Sequence, residues 1–419
     1  MTETFLQYLW NYKLFTNLDF YDTEGNSVEV INFGKFNTNS GPDFSFGKVK
    51  TKGILLAGNI ELHLKSSDWK QHGHQHQPEY RNVILHVVYE HDTEISDLKN
   101  AGIPTLELKN WISTSTVDKY ADLLNTVAFI PCEEIFYPEA VVPLFSEQKV
   151  LEKLELKSFE IEQLLKSNKN DYEAVLFQKI AYAFGLKVNA EVFQLLATNI
   201  PYSVFRKVVR NPFQAKALLL GKAGLLNEEN PENTKWRAEF EFLIQKYQLD
   251  STVFRAKMMR LRPASFPTLR LSQLASLYSQ SGLFSKVINA ESIDDLKEIF
   301  KDVQASEYWN THYSFTAKTT DFVVKKLSDA FVELVLLNAV LPFIYTYNKN
   351  LDPENVDFIL RFYREMRAEK NSVVKRWEQL GVKISSAVDS QAFLHHKKIY
   401  CDTKNCLNCS IGYQLLKHV

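Results

Sequence analysis

The sequence predicts an α+β protein in which an N-terminal mixed β-sheet flanked by helices is followed by a larger all-α domain. Period-two runs dense in β-branched residues fill the chain up to about residue 110, and helical periodicity with acid/base pairs takes over after about Pro143. A length of 419 residues also exceeds what one compact core usually holds. The expected division is residues 1–142 for the sheet-containing domain, 143–395 for the helical domain and 396–419 for a short cysteine-bearing tail.

Thr2 stands in the N-cap position before Phe5, Leu6, Leu9 and Trp10, whose spacing puts them on one face of a helix reaching about Phe15. Five strand-like runs follow: SVEVINF from Ser27, DFSFGKVK from Asp43, GILLAGNIELHLK from Gly53, NVILHVVYE from Asn82 and PTLELK from Pro104. Gly, Asn, Asp and Pro punctuate the joins. The most apolar long stretch, Asp329 to Tyr347, is interrupted by Glu333, Asn338 and Pro342, which are costly in lipid, so a buried helix is expected rather than a membrane span.

Hydrophobic content of 45%, with 24% charged and 13% aromatic residues, is that of a soluble globular chain and excludes a disordered one. The formal charge of -1 excludes a globally basic nucleic-acid binder, leaving only local patches to attract phosphates. The first fifteen residues lack a positive start, an apolar core and a small-residue cleavage site, so a cytoplasmic protein is expected. There the 4 cysteines stay reduced, and they are too few for a disulfide scaffold.

Chemistry concentrates between Gly41 and His76. If GNIELHLK is a strand, Glu61, His63 and Lys65 share one face while Ile60, Leu62 and Leu64 take the other. Pro42 and Gly41 permit a sharp entry that sets Asp43 at the start of the neighbouring strand. Adjacent strands then bring Asp43 and Glu61 together, and carboxylates that close call for a hard cation, Mg²⁺ or Mn²⁺, with Lys65 or His63 assisting a water. The competing structural reading makes Asp43 a turn cap and Glu61 and Lys65 a surface pair.

This stretch resembles the PD-(D/E)XK phosphodiesterase superfamily, of restriction-endonuclease-like fold. Pro42-Asp43 matches the first half of its pattern and, after 17 intervening residues, Glu61 matches the second acid. The resemblance implies a metal-dependent phosphodiesterase acting on nucleic acid, with Asp43, Glu61, His63 and Lys65 catalytic. The departure is His63, standing where that family has lysine, with Lys65 about 7 Å further along the strand. The alternative is a non-catalytic nucleic-acid- or protein-binding scaffold on the same fold. NSGPDF, GNIELHLKSSDW, HGH, NVILHVVYE, AGLL and RPASFPTLRL together also resemble, over nearly the full chain, a bacterial family of unknown function.

Two further constellations bear on metals. His63, His72 or His74, and His86 would suit a zinc hydrolase with one open position, while His76 reads as a loop residue. Cys401, Cys406 and Cys409 form C-x4-C-x2-C, and with Cys132 they could hold zinc or an iron–sulfur cluster. Some nucleases of the superfamily named above carry a cluster on one remote cysteine and a C-terminal trio, which this arrangement resembles. Finally, Arg255, Lys257, Arg260, Arg262 and Arg270 lie within sixteen residues without any acid and form the expected phosphate-tracking patch.

Overall fold

A computed structural model describes residues 1–38, 40–226, 231–315, 318–319, 321–351 and 357–417. Asn39 of the NSGPDF stretch lies outside them. The chain is mixed α/β, with an N-terminal mixed sheet and then a larger helical region. It forms two units. The first comprises Met1–Phe145, Lys375–Val382 and Leu394–Val419, so the cysteine-bearing segment belongs to it; the second comprises Ser146–Val374 and Lys383–Phe393.

In the first unit, helix α1 (Glu3–Tyr12) starts where Thr2 accepts a hydrogen bond from the Phe5 N–H. Its buried stripe of Phe5, Leu6, Leu9 and Trp10 follows the spacing read from the sequence, and the Trp10 indole N–H donates to the Phe33 carbonyl at 2.9 Å. Burying each such side chain is worth about 1.5–3 kcal/mol.

The strands are β1 (Phe20–Tyr21), β2 (Ser27–Asn32), β3 (Lys35–Phe36), β4 (Phe44–Thr51), β5 (Ile54–Lys65), β6 (Val83–Glu90) and β7 (Thr105–Glu107). They form one sheet of order β1-β2-β4-β5-β6-β7, with β3 beside the start of β4. The β4–β5 pair is antiparallel and the β5–β6 and β6–β7 pairs are parallel. β1 and β3 are too short to show alternation in the sequence.

Two local features position the site. A register shift between Phe44 and Gly47 bulges the entry of β4, with Phe46 at a φ of 62°. Phe44 nevertheless pairs with Ile60, which sets Asp43 opposite Glu61. At Gly58 the start of β6 passes so close that a Cβ would lie 2.4 Å from the Asn82 carbonyl oxygen, so only glycine lets the two strands meet there.

The parallel β5–β6 pairing needs a crossover, and it carries helix α2 (Asp68–Gln71) followed by 3-10 turns at His74–His76 and Pro78–Asn82. Trp69, Val83, Ile95 and Leu98 make a small apolar layer beneath it.

The second unit is helical, with one large core through helices such as Tyr172–Phe184, Leu186–Asn199 and Pro267–Tyr278. Phe177, Phe184, Phe193, Phe205, Trp309 and Tyr363 are fully buried in it. Asp329–Lys349 forms one helix long and apolar enough to cross a membrane, and 72% of its most apolar window is buried within the protein. A π-helical turn at Leu336–Val340 precedes Pro342, whose missing N–H interrupts the regular ladder.

Candidate metal site

Strand parity puts Glu61 and His63 on one face of β5, and the parallel register sets His86 of β6 beside Glu61. Ile60, Leu62, Leu85 and Val87 fill the opposite face, all fully buried. The crossover folds over the polar face, carrying Trp69, His72, His74 and Tyr80. Glu3 and Gln7 approach from α1, Gln7 by a hydrogen bond to Asp43 and Glu3 through the charge of nearby His72.

Asp43 and Glu61 hold each other in place. The Asp43 backbone N–H donates to Glu61 Oε2 at 3.0 Å, and the Leu62 N–H donates to Asp43 Oδ2 at 3.0 Å. Gln7 Nε2 donates to the remaining Asp43 oxygen at 2.8 Å. Burial raises the pKa of both carboxyls, and the charge of Asp43 raises Glu61 further.

The other Glu61 oxygen faces two imidazoles: Oε1 lies 3.4 Å from His74 Nε2 and 3.6 Å from His63 Nε2. Both ring nitrogens are buried and lack a hydrogen-bond partner. The His74 tautomer follows from what stands behind that ring. Gln77 gives its amide nitrogen to the His72 carbonyl at 3.2 Å, so its oxygen faces His74 Nδ1 at 3.4 Å. His74 therefore carries its proton on Nδ1 and turns the Nε2 lone pair towards Glu61. His63 Nδ1 is 2.9 Å from His86 Nε2. Burial and the neighbouring rings hold His63 and His86 neutral, with pKa values lowered to about 2 and about 3.

One Glu61 oxygen and two buried imidazole nitrogens thus converge on one point as a donor set suited to a cation. His72 joins it: ring nitrogens of His63, His72 and His74 all lie within 4.8 Å of one another. Three imidazoles and a carboxyl group fit a borderline transition ion such as Zn²⁺ better than Mg²⁺, which prefers all-oxygen surroundings. The cluster is open on one side, because His72 is exposed while Glu61, His63 and His74 are buried. Tyr80 stacks on His74 with centroids 3.8 Å apart, and Trp69 meets His63, His74 and His86 edge-on.

The structure sorts the residues singled out in the sequence. Asp43, Glu61 and His63 come together, and His72 and His74 join them. His86 stands behind His63 as its hydrogen-bond partner, not as a third ligand. Lys65 shares the parity of Glu61 but is exposed at the strand end, with no ion pair among the described residues. His76 is exposed. Gln77 and Tyr80 carried no sequence signal beyond lying next to the polar stretch, and Gln7, in α1, carried none.

Cys132, Cys401, Cys406 and Cys409 are all buried, none is in a disulfide, and all line one small cavity of the first unit. Burial pushes the Cys132 thiol up to about 12 and the Cys406 thiol up to about 11. In the second unit, Arg255, Lys257, Arg260 and Arg262 are exposed on an irregular segment. Arg270 is a correction to the basic patch: it is buried in helix Pro267–Tyr278, with its guanidinium 3.5 Å from the centroid of Phe331 and bonded to Gln273 at 3.0 Å. Its helical phase turns it into the core, where it cannot reach a phosphate.

Fold and site together define a mixed α/β protein with a buried histidine–carboxylate cluster on one sheet face. The chain belongs to the family described as Protein of unknown function (DUF2851), which matches residues 3–372. No curated protein and no solved structure matches it.

Proposed function

We propose that the first unit is a divalent-metal-dependent hydrolase acting on phosphodiester bonds of nucleic acid, with Glu61, His63, His72 and His74 holding the metal. The observation that carries this is the approach of Glu61 Oε1 to two buried, partnerless imidazole nitrogens at 3.4 and 3.6 Å. When bound, a divalent ion there supplies Lewis-acid activation of an attacking water and offsets charge on a phosphoryl oxygen.

The chain's own residues do the rest. His86 orients the His63 ring, Gln77 sets the His74 tautomer, and the Asp43 N–H fixes the Glu61 carboxylate. A transition ion lowers the pKa of water strongly enough that no lysine is needed beside it, which accommodates His63 at the lysine position of the PD-(D/E)XK pattern. Phosphodiesters as the substrate class are supported by that pattern on Pro42-Asp43 and Glu61, and by the setting of Asp43 opposite Glu61 across β4 and β5. The exposed cations Arg255, Lys257, Arg260 and Arg262 support nucleic acid.

One observation favours the non-catalytic scaffold as a second reading: both Asp43 oxygens are already engaged, by Gln7 and Leu62. Purified full-length protein, assayed on single- and double-stranded DNA, RNA and an aryl phosphodiester, separates the two. Hydrolysis that stops with chelator, returns with Zn²⁺ or Mn²⁺ and is lost in Glu61→Gln is the expected result. Nucleic-acid binding without hydrolysis, unaffected by that substitution, selects the scaffold; neither binding nor hydrolysis removes both.

A further inference from the structure

Cys132 is distant in sequence from Cys401, Cys406 and Cys409, which share one short stretch. Cys132 lies in a turn after helix Thr114–Asn125, and Cys401 ends a π-helical turn at Lys397–Cys401. Cys406 opens the 3-10 turn Cys406–Asn408, and Cys409 precedes helix Ser410–Lys417. Every cysteine of the chain faces the same enclosed space, beside His396 and Trp377, and none forms a disulfide. Chance burial of thiols gives no reason for all four to converge.

The surroundings are those of a bound thiolate set. The Gly412 N–H donates to Cys409 Sγ at 3.2 Å, and His396 Nε2 lies 3.4 Å from the same sulfur. A Cβ at Gly412 would sit 2.3 Å from the Cys406 carbonyl oxygen, so the helix can pack this closely on the cysteine turn only with glycine there. Lys397 and Lys404 bring positive charge towards Cys401 and Cys406, respectively.

A single tetrahedral zinc with bonds of about 2.3 Å needs its sulfurs roughly 3.8 Å apart. Four thiolates around one space suit either such a zinc ion or an iron–sulfur cluster in which each cysteine ligates a separate iron, and metal analysis separates the two.

We propose that Cys132, Cys401, Cys406 and Cys409 hold a thiolate-bound metal centre, a zinc ion or an iron–sulfur cluster, that fastens the C-terminal segment Leu394–Val419 to the rest of the first unit. Its residues are separate from those of the hydrolase site, and it stands whether or not that site is active. Full-length protein purified anaerobically is expected to carry thiol-bound metal: iron with an equal amount of acid-labile sulfide and a broad visible band marks a cluster, and colourless protein with bound zinc marks a tetrahedral ion. Cys132→Ala and Cys409→Ser lose that metal, while His63→Ala keeps it and shows that the assay reports the cysteines. Because wild-type metal content is measured first, a cysteine variant that fails to fold does not decide the matter. Wild-type protein without thiol-bound metal, both as purified and after reconstitution with zinc or with iron and sulfide, overturns the proposal.

Discussion

The histidine–carboxylate cluster and the cysteine cavity lie in the same unit and are built in opposite ways. The first rests on one strand face, is roofed by the crossover that follows, and keeps the exposed His72 at its mouth. The second has all four thiols buried, one from Cys132 and three from the C-terminal segment. Mixed nitrogen and oxygen donors around an open position suit chemistry on an exchangeable ligand, whereas a buried sulfur set suits a resident structural centre. Helix α1 touches both sides: Gln7 bonds Asp43, and Tyr12 packs against Tyr413 with ring centroids 4.8 Å apart.

This contrast can be broken most forcefully at Glu61. Glu61→Ala is expected to reduce metal-dependent hydrolysis by several kcal/mol of transition-state stabilisation, roughly 10²- to 10³-fold in rate, while leaving the metal content of the cysteine centre unchanged. A parallel loss of both signals would show that the two regions are one cooperative centre.

A step smaller is the partner behind the ligand. His86→Phe removes the support of His63 Nδ1 and is expected to weaken metal binding about 10- to 100-fold by competition with a chromophoric chelator, again without touching the cysteine side. Unchanged affinity would reduce His86 to a core residue.

Acid stability sharpens the contrast further. The folded-state pKa values of His63 and His86 lie below those of the unfolded chain, so the unfolded state takes up protons first as the pH falls. The stabilisation is complete above about pH 6.5 and is lost progressively below it, by up to about 1.4 kcal/mol per pH unit for each histidine. Denaturant melts of metal-free protein between pH 7 and 4 should show this slope, and replacing both histidines by Phe should flatten it.

The smallest effect belongs to Lys65. An exposed side chain with no ion pair among the described residues should change stability by no more than about 0.5 kcal/mol when replaced by alanine, and hydrolysis by roughly twofold. A loss comparable to that of Glu61→Ala would restore the lysine-assisted carboxylate site and make the histidines its supports.

Much of the site face was legible beforehand because strand parity is a local rule. Glu61 and His63 had to share a face once GNIELHLK formed a strand, and Asp43 had to enter beside them after Gly41-Pro42. The same rule misled at Lys65, since a shared face does not bring the end of a strand back to its middle. His72 and His74 lie in a loop without period, so their arrival above β5 depends on how the crossover folds over Trp69. Arg270 looked like part of a basic patch because one-dimensional spacing does not reveal helical phase against a neighbouring element.

By itself the sequence determined the class of fold, the order of its strands, the change to helix after Pro143 and the residue types able to hold a metal, because periodicity and turn chemistry act over a few residues. Only the tertiary structure decided which of them meet. The β4 bulge, the parallel crossover and the return of the C-terminal segment join positions far apart in sequence, and that meeting is governed by packing and loop closure, which leave no local pattern to read.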